Sequence, residues 1–172
     1  VISFTGIKQG IENTNYLLKS KKKKYILTIF EKRVLQKEIP FFMKLMDNLN
    51  NSKINCPKPL KTRNNKYLIK LKNKTACIVS FLEGKDKKIL NINDCYTVGK
   101  IIARMHVVTN TMKLNRKNSM GIKNLKPLLE SIKFKSKKFS NLKVFLNNNL
   151  KDINKNWPKQ LPKGIILSLI HI

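Results

Sequence analysis

Three strand-forming segments crowd into the first 30 residues, and their spacing constrains the fold more than any other feature. Val1–Gly6, Tyr16–Ser20 and Tyr25–Phe30 are joined by connections too short for a crossover, so they are expected to run antiparallel as successive hairpins. The first connection is the run Gly10-Ile-Glu-Asn-Thr-Asn-Tyr16. Glycine and small polar residues in such a hairpin let main-chain N–H groups approach a polyphosphate closely. The second connection carries Lys21–Lys24, which reads as a solvated hairpin tip.

An amphipathic helix is expected next, over 35–50, with Leu35, Ile39, Phe42, Met46 and Leu49 at helical spacing and Pro40 in the first turn. The connector 51–60 follows, held extended by Pro57 and Pro59. Tyr67–Leu71 and Thr75–Leu82 read as a further hairpin turning at Asn73-Lys74. Asp94 is the expected N-cap of a helix presenting Cys95, Val98, Ile102 and Met105 on one face. A polar loop is expected from Asn110 to Lys126. A second helical region follows Pro127, with Leu142, Leu146, Leu150 and Ile153 on a common face, and Trp157–Pro162 ends it.

Composition bears on the partner. The 172 residues have 41% hydrophobic content, enough for an ordinary core, and a formal net charge of +28. Such a charge first suggests nucleic acid. Yet of the 37 basic residues only Arg33, Arg63, Arg104 and Arg116 are arginine, the residue whose planar fork reads phosphates and bases. The lysines are spread among many asparagines and isoleucines, so the charge is either a genome-wide compositional bias, the favoured reading, or a functional basic surface. No stacking motif of the RNA-binding kind appears. Cys56, Cys77 and Cys95 are odd in number and lack metal-ligand spacing, which argues against a disulfide framework or zinc site and for a reducing compartment. No signal peptide pattern opens the chain, and the apolar run from Gly164 to Ile172 is far too short to span a bilayer. The expected location is cytoplasmic, without a membrane or nucleic-acid partner.

Strand, loop, strand, strand, helix and two more strands is the order of a protein-kinase-like small lobe. Several segments also resemble bacterial homoserine kinases of the aminoglycoside-phosphotransferase/choline-kinase superfamily. They are Gly10–Tyr16, Tyr25-Ile-Leu-Thr-Ile-Phe-Glu-Lys32, Ile39-Pro-Phe-Phe-Met-Lys-Leu-Met46, Cys56-Pro-Lys-Pro59, Ala76-Cys-Ile-Val-Ser-Phe-Leu-Glu-Gly84 and Val98-Gly-Lys-Ile-Ile-Ala-Arg-Met-His106. Leu161-Pro-Lys-Gly-Ile-Ile166 is similar to the strand leading into that family's catalytic loop. The resemblance implies an α+β, protein-kinase-like fold. A nucleotide-binding small lobe with an antiparallel sheet and one helix would occupy 1–82, and the hinge and first helices of a truncated large lobe 83–172.

The implied activity is ATP-dependent phosphorylation of the L-homoserine hydroxyl, a step of threonine biosynthesis, with ATP and Mg2+ as cofactors. The loop residues Gly10, Ile11, Glu12, Asn13, Thr14 and Asn15 would cover the triphosphate, and Ser80, Phe81 and Leu82 would form the hinge at the adenine. Phe81 either lines the adenine slot or is an ordinary core residue. Thr28 stands where the broad kinase pattern has a phosphate-pairing lysine, so Lys32 either substitutes for it or is one more solvated lysine. Glu38 is a weak candidate to orient that lysine. His106, in a Met-His pair at the expected helix end, is assigned a structural role. His171 stands alone in an apolar tail, and Trp157 is read as packing.

The family continues after the Gly-Ile-Ile strand with a His-x-Asp loop and magnesium ligands, whereas no Asp follows Lys155 here. The resemblance therefore implies no catalytic and no metal-binding residue in this chain. The chain is read as a fragment, inactive by itself, whose parent carries the activity and whose last six residues reflect a frameshift or incomplete gene end. Truncation is also expected to leave an apolar face exposed on the helices after the hinge. Homoserine-dependent ADP formation by the purified 172-residue chain would overturn the expected inactivity. The alternatives are a related small-molecule kinase acting on choline, an aminoglycoside or a sugar, and a basic nucleic-acid-binding protein, which predicts steeply salt-dependent binding.

Overall fold

The structure is a computed structural model that describes residues 1–8, 12–31, 35–118, 121–133 and 139–165. It contains two compact units, one built on Val1–Asn115 and the other on Arg116–Lys163.

The first unit carries a five-stranded sheet in the order β1-β2-β3-β5-β4, antiparallel at every pairing. β1 (Ser3–Ile7), β2 (Asn13–Lys19) and β3 (Lys24–Phe30) are the expected hairpins with shifted ends. The Ser20 N–H donates to the Lys23 carbonyl at 2.9 Å, so the lysine tip closes as a tight turn. The next hairpin, β4 (Leu68–Leu71) to β5 (Lys74–Ser80), turns at Lys72-Asn73 rather than Asn73-Lys74. Both turn residues take positive φ, 41° and 65°, the twist that two-residue hairpins favour and Asn tolerates, and Leu71 pairs with Lys74. The connector before β4 is extended as expected and adds a short pairing to β5. Pro59 bridges Val79, and the Leu60 N–H donates to Ile78 O at 2.9 Å.

α1 (Ile39–Asn51) covers part of one sheet face, with Pro40 in its first turn and a 3-10 turn over Gln36–Glu38 before it. Ile39 and Met43 pack on Cys77 and Val79, flanked by Ile26, Phe30, Phe42, Met46, Tyr67 and Leu68. Each such buried side chain is worth about 1.5–3 kcal/mol. The expected stripe differs at two points. Leu35 lies outside the helix and is 54% exposed, whereas Met43, one turn after Ile39, is 2% exposed. Burial pushes the Cys77 thiol up to about 11, and Cys56, Cys77 and Cys95 are all free thiols.

α2 (Ile92–Asn110) begins with a capping box whose N-cap is Asn91, not Asp94. Asn91 Oδ1 accepts from the Asp94 N–H at 2.9 Å, and Asp94 Oδ2 accepts from the Asn91 N–H at 2.9 Å. The Asn91 N–H and then Lys87 Nζ, 2.6 Å away, hold the Asp94 carboxyl below its usual range. Asn91→Ala is expected to cost about 1 kcal/mol of α2 stability, seen as faster amide exchange in its first turns; unchanged exchange would count against the box. His106 does not end this helix, which runs on for another turn. The helix leaves apolar side chains exposed, among them Ile92, Tyr96, Ile101 and Val107.

The second unit pairs α3 (Ile122–Ser131) with α4 (Ser140–Asn156), burying Leu129 on the first and Leu150 on the second. α3 starts inside the expected polar loop and contains Pro127 instead of following it. The missing Pro127 N–H leaves one carbonyl of the preceding turn without its helical donor. Trp157 terminates α4 as expected. Among the described residues no helix is long and apolar enough to cross a membrane.

Candidate functional site

Strand register decides which of the expected site residues share a surface. Residues directly opposite in an antiparallel pair point to one face, and neighbours along a strand alternate. Asn15 pairs with Ile7 on β1 and with Thr28 on β3; Leu17 pairs with Thr5 and Ile26; Asn13 pairs with Phe30. Thr28 in turn pairs with Cys77, and Ile26 with Val79. Asn13, Asn15, Leu17, Ile26, Thr28 and Phe30 therefore belong to the face that α1 partly covers. The β1 and β2 residues of that face lie outside the core cluster.

On this face Thr28 Oγ1 donates to Asn15 Oδ1 at 2.8 Å. The bond joins two expected site residues and fixes the Asn15 amide so that its NH2 group remains available as a donor. Asn13 Oδ1 is buried and accepts no hydrogen bond. Ile7, Leu17 and Ile26 supply half-buried apolar surface beside this polar pair. None of the three is conspicuous in the sequence; only the pairing with Asn15 and Thr28 singles them out.

The expected loop is shorter than its sequence suggests. Asn13, Thr14 and Asn15 belong to β2, because ladder bonds to β3, and for Asn15 also to β1, prevail over the turn preference of asparagine. Gly10 and Ile11, as well as Lys32, lie outside the described residues, as does His171. Glu12 is exposed, immediately before β2.

Thr14 points to the opposite face. Its Oγ1 donates to Glu31 Oε1 at 2.9 Å, and Lys74 Nζ meets Glu31 Oε2 at 2.6 Å. Glu31 thus clasps the starts of β2 and β5 to the end of β3, a role that local sequence does not signal. Lys74 first, and then Thr14, hold its carboxyl below the ordinary value. A depressed carboxylate contributes stability above the unfolded-state pKa, which is lost as pH falls through the folded value. Glu31→Gln is therefore expected to lower the thermal midpoint at pH 7, with the difference from the parent closing as pH falls below about 4.5. A difference independent of pH would show that the clasp does not depend on the charge.

At the end of β5, Ser80 N–H donates to Lys58 O at 2.9 Å, and Phe81 N–H to Lys24 O at 3.2 Å. Both donors are thus spent within the first unit. The Phe81 ring lies under Lys24 Nζ, 5.3 Å from its centroid, and Lys24 also pairs with Glu83 at 2.8 Å. Leu82 is 39% exposed. Glu38 occupies the N-cap position of α1, at the end of the preceding turn, without a side-chain capping bond. Among the described residues no three His, Cys, Asp or Glu side chains converge.

Comparison with known proteins gives this geometry a context. The sequence pattern of the phosphotransferase enzyme family matches residues 3–167. The homoserine kinase of Paramagnetospirillum magneticum is 38% identical over 167 residues, which are 96% of this chain and 51% of that protein. The homoserine kinase of Afipia carboxidovorans is 34% identical over 167 residues, again 96% of this chain and 51% of that protein. The chain thus spans about half the length of the curated relatives it matches. Among solved structures, that of the microcompartment-associated aminopropanol kinase aligns with a TM-score of 0.58 at 16% identity, covering 74% of this chain and 43% of that one.

Proposed function

Because the chain belongs to the phosphotransferase enzyme family and has its protein-kinase-like fold, we propose that it supplies the nucleotide-holding part of a homoserine kinase. Residues 1–82 would form the nucleotide lobe, and the chain from 83 onward the hinge and the beginning of the second lobe. The observation that carries the reading is the identity of 34–38% to homoserine kinases across 96% of the chain.

The uncovered sheet face fits an adenine nucleotide. Ile7, Leu17 and Ile26 would hold the base by apolar contact. With the Ser80 and Phe81 N–H groups already donated, the edge of the base would be met by the carbonyls of Phe81 and Leu82 and by N–H groups from Leu82 onward. Asn15, oriented by Thr28, would direct its NH2 group toward the phosphates, and the buried Asn13 Oδ1 marks a polar position awaiting a donor. The run Gly10–Asn15 would cover the triphosphate. Thr28 then acts by positioning Asn15, in place of the charge that a lysine would bring. Phosphoryl transfer depends mainly on such positioning and on charge neutralisation. Magnesium, when bound with the nucleotide, would supply the latter.

A chimera tests whether the chain works as that nucleotide-holding part. Residues 3–167 would replace the stretch they match in the Paramagnetospirillum magneticum enzyme. ADP formation dependent on L-homoserine is expected. A folded chimera that is inactive would overturn the reading of this chain as the nucleotide-holding part of a homoserine kinase.

A further inference from the structure

The first unit holds a second polar concavity, at the end of the sheet where β2 meets β3. This groove of about 910 Å³ is shaped by the hairpin tip, the connector at Lys58–Lys61, and Ser80, Phe81 and Glu83. It shares Ser80 and Phe81 with the proposed hinge but none of Ile7, Asn15, Leu17, Ile26 or Thr28. Seven of its sixteen lining residues are lysine: Lys19, Lys21, Lys22, Lys23, Lys24, Lys58 and Lys61. The chain as a whole has only 37 basic residues in 172, so the density here exceeds what composition supplies.

Two acids line the same groove, Asp47 and Glu83, and both are engaged. Glu83 pairs with Lys24, and Asp47 Oδ2 accepts from the Tyr67 hydroxyl at 2.8 Å. Lys61 Nζ stands 5.2 Å from the centroid of the Tyr67 ring. Lys19, Lys21, Lys22, Lys23 and Lys58 have no ion-pair partner among the described residues. These cations come from separate parts of the chain, the β2–β3 hairpin and the connector, and an anion between them would relieve their mutual repulsion. Tyr25, Tyr67 and Phe81 add aromatic walls.

We infer that this groove is a binding site for a small oligophosphate anion. No arginine lines it, so recognition rests on charge density rather than on bidentate shape. A compact anion with several charges would be neutralised by several of these lysines together, an attraction that is screened over about 8 Å at physiological salt. The inference does not depend on the proposed kinase reaction.

The test is calorimetric titration of the 172-residue chain with inorganic tripolyphosphate at physiological ionic strength. The triple variant Lys21→Gln, Lys22→Gln, Lys58→Gln is compared with Lys143→Gln, Lys151→Gln, Lys155→Gln on α4, which removes the same charge elsewhere. All six side chains are exposed, and circular dichroism checks that both variants fold. The groove variant is expected to bind at least tenfold more weakly and the α4 variant within twofold of the parent. Equal weakening in both, no loss in the groove variant, or no binding by the parent would overturn the site. A single-stranded oligonucleotide that binds tenfold more tightly than tripolyphosphate would also overturn it, in favour of a nucleic-acid groove. Failure of the nucleotide reading would appear separately, as the absence of ATP-analogue binding by the unaltered chain.

Discussion

Leu17→Glu is expected to weaken adenine-nucleotide binding at least a hundredfold, about 2.8 kcal/mol. Leu17 lies between Thr5 and Ile26 on the sheet face left open beside α1, and outside the core cluster. A carboxylate there would have to be desolvated beneath the base, and its charge would oppose the phosphates. Fluorescent ATP-analogue titration reads the effect, with a thermal melt to show that the sheet persists. Tyr16→Glu is the control: the neighbouring residue occupies the opposite face, where its ring packs edge-on against Phe4 at 6.0 Å, and binding should stay within threefold of the parent. If both variants bind like the parent, the base does not sit on this face. If both lose binding alike, the strand rather than the face is responsible.

Ile39→Ala should have the largest effect on stability, a loss of about 2–5 kcal/mol. Ile39 is fully buried at the start of α1, against Met43, Cys77 and Val79. Removing three carbons leaves a cavity that a helix seated on a rigid sheet cannot readily collapse. Urea denaturation should show a fall in midpoint of about 1–3 M for a typical denaturant slope. Leu35→Ala, at a residue 54% exposed, should change stability by no more than about 0.5 kcal/mol. Equal losses would mean that the 3-10 turn before α1 packs as tightly as the helix itself.

The contrast between Leu35 and Ile39 shows where local pattern stops being informative. Both fall on one helical stripe in the sequence, yet the helix begins only at Ile39, and Leu35 projects into solvent. The same holds for the first residues of β2. Asn13, Thr14 and Asn15 have the composition of a loop, and nothing local reveals that pairing with β3 extends the strand through them. Asp94 was legible as part of a helix start, but the cap and its reciprocal partner stand three residues apart, so the N-cap proved to be Asn91. Pro127 suggested a helix start, and α3 instead accommodates it internally. The family resemblance was legible because its segments occur in order along most of the chain, and the match over residues 3–167 agrees with it.

The sequence by itself determined the order of the strands with α1 among them, the antiparallel hairpins and the resemblance to a phosphotransferase family. The strand order and the hairpins follow from short-range patterning and short connections, and the resemblance from segments that occur in order along the chain. Only the tertiary structure decided which side chains meet. It joined Asn15 to Thr28, turned Thr14 away toward Glu31 and Lys74, and gathered lysines from the hairpin and the connector into one groove. The physical reason is register: moving a strand by one residue exchanges its two faces, and the choice rests on hydrogen bonds between residues far apart in the chain.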